Sequence, residues 1–475
     1  MTFLFIPIFL SILILSGFGC SFNPTLPSKV KIDLPKQYLE GSPANSSLRT
    51  MVAFSRPWWQ IFRDPNLDKL INLVLRQNYD LKQAIYDLRI LQKQLKLTKS
   101  SLYPQLSLQA STGKQANYLS GPTGQKKMVE TTPTSVFLLT SYELDFFQKI
   151  NSQKKANLEA ILANQEQLRL LRQTLVSSAV QLYLNLSFLN YQVKVYQRLL
   201  ELQKQTTKLL GFLYQNGQVT YEQLLTSQNQ ELQLKNDLLA FKQKGKDVNY
   251  QLCLLLGRYP QPITTTPWEH FAKLKLKIRP GLPSQLLKNR PDILAAEKRL
   301  KELAFKAKVA RRERFPQIRL TSQLGYTSAE LESLFSPTSF LYNLAFNLTA
   351  PIFDASRLKT KEDLAVLAYA KAEQNYAKTV LLAFKEVETN LSKLKELRLT
   401  SINLKQTFNQ AQKKLKLITY EYHQGQVPYT LVLEQKKILA QAKLSLEQNQ
   451  LEQLITQVSL IKSLGGTKQV QLVFK

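Results

Sequence analysis

The chain has 475 residues, 64 Lys and Arg against 34 Asp and Glu, and a formal net charge of +30. Leu, Gln and Lys dominate while Gly (15) and Cys (2) are scarce, a profile of long helices that excludes a loop-rich or disulfide-stapled fold. At 44% hydrophobic the chain is not broadly disordered. Its lysines lie scattered along helix faces (Lys82, Lys93, Lys96, Lys99) with no basic-aromatic module, so the charge reads as solvated helix surface and not as a nucleic-acid site.

Residues 1–19, MTFLFIPIFLSILILSGFG, are apolar and uncharged. Their greasy core is too short for a spanning helix and suits a secretory signal peptide. Small residues precede Cys20, as in a signal whose cleavage leaves a lipidated cysteine; an uncleaved anchor and a plain signal peptide are the alternatives. Residues 20–64 then read as an extended, lipid-tethered segment. The other cysteine, Cys253 in LCLLLG, reads as a small buried apolar residue.

From residue 65 onward the pattern comes twice. YPQLSL (103–108) matches FPQIRL (315–320), and YQNGQVTY (214–221) matches YHQGQVPY (422–429). LCLLLG and LIKSLG end at Gly257 and Gly465, while Asp145 and Asp354 hold equivalent places. Fixed-order self-similarity means two copies of one structural unit. The first copy spans 65–257, the second 291–466, with a linker at 258–290 and a tail at 467–475.

Each copy opens with a helix and continues with two strands, at about 104–113 and 134–146, then about 316–328 and 338–350. In SFLYNLAFNLTAP, Phe340, Tyr342, Leu344, Phe346 and Leu348 point one way; Leu341, Asn343, Ala345, Asn347 and Thr349 point the other. TSVFLLTSYELDF is apolar on both faces around Phe137 to Leu139. Ten-residue strands suit a tilted membrane crossing; the alternative is a soluble sheet packed on the helices. Four strands cannot close a barrel, and open edges are not tolerated in lipid, so a membrane reading requires oligomerisation.

Helical hairpins follow at 147–257 and 355–464, with tips at 214–221 and 422–429. Leu168, Leu171, Leu175, Ala179, Leu182, Leu186, Leu189, Val193 and Tyr196 recur at spacings of three and four, a coiled-coil seam. A helix of about 65 residues at ~1.5 Å each runs roughly 100 Å. Gly217 and Gly425 are placed to end their helices in the left-handed conformation.

Further motifs carry a family resemblance. PWWQIFRDPNLDKL presents Trp59, Phe62, Asp64, Pro65 and Leu67; LPSQLLKNRPDILAAEKRL presents Leu282, Pro283, Ser284, Arg290, Pro291, Asp292, Ile293, Ala296 and Glu297; APIFD, AFKEVETNL and SLGG follow. In this order and spacing they resemble the TolC-like outer membrane factors, in particular the lipoprotein branch of multidrug efflux systems. Tyr142 and Gln148 stand where that family often has Trp and Gly.

The resemblance implies a mainly α fold with membrane β-structure: a homotrimer whose chains supply four strands each to a twelve-stranded barrel, above a periplasmic α-barrel. It implies a passive exit duct that docks a periplasmic adaptor and an inner-membrane pump of the resistance-nodulation-division or ABC type. It places the adaptor contacts at Gly217, Gln218, Val219, Gly425, Gln426 and Val427. The family's gate often uses acids just inside the second helix. Gln223 and Leu431 hold those positions here, so Glu222, Gln223, Tyr422, Tyr429 and Glu434 are the gate candidates. The bland alternative is that these are only good turn residues.

No enzyme is expected. Histidine occurs only as His270 and His423, no phosphate-cradling loop or nucleophile elbow is present, and no metal or cofactor is implied. Glu386 and Glu388 read as surface or lumen acids. The rival from another class is a lipid-anchored, basic coiled-coil adhesin or scaffold that transports nothing.

Overall fold

A computed structural model describes residues 23–27, 38–39, 57–120, 126–274, 276 and 283–466. The leader, Cys20, Leu282 and the tail lie outside the described residues. The elements are α1 (Pro65–Gln77), α2 (Tyr79–Ser100), β1 (Gln105–Thr112), β2 (Gln115–Ser120), β3 (Lys126–Thr131), β4 (Thr134–Leu144), α3 (Lys149–Gln215), α4 (Tyr221–Leu255), α5 (Trp268–Phe271), α6 (Pro283–Asn289), α7 (Pro291–Arg312), β5 (Gln317–Ser328), β6 (Phe340–Thr349), α8 (Arg357–His423) and α9 (Tyr429–Ser463). The duplication is exact in its helices: α3 and α8 both have 67 residues, α4 and α9 both 35.

The chain divides into two compact units. Asp87–Gln165 and Ala295–Ala377 form the first, which carries all the described strands. Its main sheet has the order β1-β4-β5-β6, antiparallel throughout. The register aligns Leu108, Leu138, Leu324 and Tyr342 across the four strands, and Leu106, Thr140, Ser322 and Leu344 two residues on. That face is apolar yet uncovered: Leu108 is 73% and Leu344 77% exposed. A soluble sheet packed on its own helices would bury these side chains, so the alternative fails on this point. Strands β2 and β3 form a separate hairpin. It has no counterpart among the described residues of the second copy, where a 3-10 turn at Pro337–Ser339 precedes β6.

Each long helix begins on the duplicated aspartate. Asp145 accepts from the amides of Ile150 and Asn151 at 2.9 and 2.8 Å; Asp354 accepts from that of Leu358 at 2.9 Å. A carboxylate there satisfies orphan donors and meets the positive end of the helix dipole. Gln148 sits at φ 58° in the turn before α3, so Gln adopts the conformation that Gly enters freely. The turn keeps a glycine-like backbone although the residue is not Gly.

Among the described residues, 38–39, 57–86, 166–274, 276, 283–294 and 378–466 form the second unit. Its core includes Phe62, Leu67, Ile71, Tyr183, Leu184, Leu252, Trp268 and Phe271, each at most 1% exposed. The Trp-x-x-Phe-x-Asp-Pro motif has a local reason. Trp59 and Phe62 are buried in a 3-10 turn, Trp58–Phe62, that ends what was expected to be extended chain; Asp64 caps α1 by accepting from the Asn66 amide at 2.9 Å, and Pro65 occupies the first helical position. Burial of the two indoles is what folds this stretch back. Tyr183 donates to the other Asp64 oxygen at 2.9 Å and accepts from the Thr266 amide at 2.9 Å. Burial pushes its phenol up to about 12. The expected linker 258–290 also holds two short helices, α5 and α6, because Trp268, Phe271 and Leu286 are buried.

Candidate functional site

The hairpin tips belong to the second unit and are built alike up to their second helix. Gly217 sits at φ 67° and Gly425 at φ 72°. In the first tip the Gly217 amide donates to the Tyr214 carbonyl and that of Gln218 to the Leu213 carbonyl, both at 2.9 Å. In the second, Gly425 donates to Tyr422 at 2.9 Å and Gln426 to Glu421 at 3.0 Å. These paired bonds close the last carbonyls of α3 and α8 and require a left-handed residue. A Cβ at either glycine would meet nothing within 4 Å, so the torsion alone selects Gly.

The same pair of rings staples each tip. Tyr214 and Tyr221 have centroids 5.4 Å apart, Tyr422 and Tyr429 5.1 Å. Gln218 and Gln426 are exposed, while Val219 and Val427 are half-buried.

The second helices start differently. Thr220 and Gln223 form a reciprocal capping box, with Gln223 N to Thr220 Oγ1 at 3.3 Å and Thr220 N to Gln223 Oε1 at 3.2 Å. Gln223, a gate candidate by position, is thus engaged in holding α4. Pro428 caps α9 with no side-chain bond, and Lys436 sits 5.6 Å from the Tyr429 centroid. Glu222 and Glu434 are exposed, and within one chain they belong to different hairpins.

Above the tips lies a polar node that sequence reasoning passed over. Gln203, 1% exposed, donates to the Ser227 carbonyl at 3.0 Å and hydroxyl at 2.9 Å, and accepts from Lys437 Nζ at 2.6 Å. Thr207 joins the Ser227 hydroxyl at 2.9 Å. Burial lowers the Lys437 ammonium below its ordinary range, against the pull of Glu434. The node ties α3 and α4 to α9. A signal was present: Gln203 and Thr207 continue the seam one and about one and a half heptads past Tyr196, where apolar residues had recurred.

The Arg-Pro-Asp hallmark forms a second node. Arg290, 6% exposed, forks onto Asp292 at 2.9 and 2.6 Å, donates to the Ser463 carbonyl at 3.0 Å and pairs with Glu386 at 2.8 Å. Glu388 accepts from the Leu39 amide at 2.8 Å. Glu386 and Glu388 are therefore ties between segments. Cys253 is buried, and its thiol also donates to the Gln261 carbonyl at 3.2 Å, more than an apolar filler does. His270 Nε2 lies 3.0 Å from the Phe62 carbonyl, and His423 packs on Tyr422. Among the described residues no His/Cys/Asp/Glu group is arranged to hold a metal, and no helix is long and apolar enough to cross a membrane.

The profile of outer membrane efflux proteins matches residues 70–258 and 282–466. The chain belongs to the outer membrane efflux protein family. It is an outer-membrane efflux channel, and the family is one of channels, not enzymes. Among similar proteins, the probable outer membrane lipoprotein SilC of Salmonella typhimurium is 28% identical over 86% of this chain and 87% of its own. The cation efflux system protein CusC of Escherichia coli (strain K12) is 27% identical over 94% and 96%. A crystal structure of CusC superposes with a TM-score of 0.79 at 26% identity, covering 94% of this chain and all of that one. The match spans both copies of this efflux protein, and so includes the strand pairs and both hairpins.

Proposed function

We propose that the chain is one third of a passive, trimeric exit duct, which receives small molecules from an inner-membrane pump through a periplasmic adaptor and releases them outside. The observation that carries this is the sheet. Its apolar face is uncovered, and its outer strands β1 and β6 each have one unpaired edge among the described residues. In lipid such edges must pair, and a closed barrel needs about eight strands at least, which one chain cannot supply. Joining β6 of one copy to β1 of the next removes every edge, and three copies give twelve strands. Cys20 is the proposed lipid attachment, in keeping with the lipoprotein SilC.

Cysteines placed on the facing edges, Ser107→Cys on β1 with Asn343→Cys or neighbouring β6 positions, are expected to cross-link into a ladder that ends at three chains. A ladder ending at two, or none in any register tried, counts against the trimer.

The tips are the proposed adaptor contacts. Gly217→Val or Gly425→Val forces a β-branched residue into left-handed torsions, a strain of ~1–3 kcal/mol confined to the turn. Adaptor capture by the purified trimer is expected to fall several-fold while trimer yield is kept. Unchanged capture would remove the tips from the docking surface.

A further inference from the structure

Four helices of the first unit adjoin the four strands of its main sheet, and contacts fix their order. Asn157 on α3 donates to Thr98 on α2 at 2.7 Å, and Arg312 on α7 donates to the Gln148 carbonyl just before α3 at 2.7 Å. Arg314, just past α7, pairs with Glu362 on α8 at 2.7 Å. The row is α2-α3-α7-α8, in step with β1-β4-β5-β6. A cavity of about 560 Å³ is lined from both ends of this row, by Thr98 on α2 and Lys361 on α8. A cavity touched by both outer members of a row lies on its concave side. Gln317 and Thr349, paired at the foot of the sheet, line it too, and alternation puts both on the face opposite the apolar one.

Ile150, Val309 and Leu358 give the cavity an apolar part, and its charge is one-sided: Lys149, Arg357 and Lys361 line it against Glu313 alone. Lys361 takes Glu313 at 3.1 Å, and Lys149 reaches Glu143 at 2.5 Å. The other Glu143 oxygen lies 3.8 Å from Arg319, its partner in register. Arg357 is exposed and has no ion-pair partner among the described residues. Four cations thus stand against two carboxylates. Asp145 and Asp354 do not line the cavity; their carboxylates accept from the amides of their own helices. Lys149 and Arg357 open α3 and α8, where a cation opposes the helix dipole, so helix stability does not place them there.

On the duct reading above the concave side is the lumen wall, and the inference rests on that reading. The geometry points to this cavity as a resting site for organic anions, solutes with an apolar body and a carboxylate, sulfonate or phosphate group. The body lies against Ile150, Val309 and Leu358. The oxyanion meets Arg357, whose planar fork is free to receive it. Three copies set three such sites around the lumen. Binding stays weak because these charges are partly in water and screened by salt. A passive duct requires that, since a solute must leave as readily as it enters. Uncharged and cationic solutes gain nothing from the cluster, so preference arises along a wetted wall with no constriction.

Protection of an introduced thiol reads the site directly. Ser101→Cys places a thiol in the cavity lining; Gln323→Cys places one on the same face, six residues up β5 from Gln317 and about 20 Å away. The full-length trimer in lipid nanodiscs is labelled with methyl methanethiosulfonate, small and uncharged, with the wild type as the blank for buried Cys253. Naphthalene-1-sulfonate is expected to slow labelling of Ser101→Cys saturably and to leave Gln323→Cys unchanged. 1-Naphthylmethylammonium, of similar size, should protect neither. Arg357→Gln should raise the sulfonate concentration for half-protection about fivefold, and Arg357→Lys by less. Both change an exposed, unpaired side chain, so trimer yield should hold. No protection by the sulfonate, equal protection by the ammonium, or a half-protection unmoved in Arg357→Gln overturns the anion site and leaves the duct intact. If neither Ser101→Cys nor Gln323→Cys reacts while exposed Gly113→Cys does, the concave side is closed to water, and the site and the duct reading fall together.

Discussion

Replacing Arg290 by alanine should destabilise the second unit by about 3–5 kcal/mol and empty the outer membrane of assembled trimer. The guanidinium is buried and uses its fork on three segments: Asp292 at the start of α7, the Ser463 carbonyl at the end of α9, and Glu386 on α8. Alanine would leave the half-buried Asp292 carboxylate without its cation and the Ser463 carbonyl without its donor. A buried acceptor that loses its partner costs ~1–3 kcal/mol, and a buried charge left alone costs more. Arg290→Lys keeps the charge but not the planar fork, so it should recover only part of the loss. Glu386→Gln is the informative contrast. That carboxylate is 55% exposed, its pairing is screened by water, and its change should stay within ~1 kcal/mol. Thermal loss of the trimer band measures all three. An Arg290→Ala trimer as heat-resistant as the wild type would show that the fork is not what joins the three segments.

The sequence carried the helices well because their cause is local. Sixty-seven residues without a proline or a helix-ending glycine, with apolar side chains every three or four positions, can do little else. Strand faces were equally legible in SFLYNLAFNLTAP, since alternation has one meaning in an extended chain. The hairpin β2–β3 was not, because residues such as Gln115, Asn117, Lys126 and Glu130 give no apolar alternation. Here the backbone ladder supplies the pairing, with Tyr118 opposite Met128 and Thr131 Oγ1 donating to the Gln115 carbonyl at 3.5 Å. The two polar nodes were hidden for another reason: Gln203 meets Lys437 across 234 positions and Arg290 meets Ser463 across 173, and nothing near either residue announces the partner. The gate candidates are less legible still, for Glu222 and Glu434 lie exposed on different hairpins of the chain.

Gly325→Val is expected to abolish the barrel outright, and even Gly325→Ala should reduce trimer yield many-fold. A Cβ at this position would overlap the Val136 carbonyl oxygen and stand 2.8 Å from the Phe137 Cα, both backbone atoms of the paired strand. Backbone cannot rotate aside as a side chain can, so β4 and β5 must separate locally. These two strands are the centre of the sheet, aligned over eleven pairs from Thr134–Ser328 to Leu144–Ile318. Losing pairs there exposes N–H and C=O groups to lipid at several kcal/mol each, more than a strand pair can spare. A one-residue slip offers no escape, because it would turn the apolar face into the lumen and the polar face into lipid. Gly113 and Gly245 serve as controls, since a Cβ at either meets nothing within 4 Å and alanine there should be silent. Trimer yield in outer-membrane fractions reads the difference. If Gly325→Ala assembles as well as Gly113→Ala, the close approach of β4 to β5 at this row is not a requirement of the barrel.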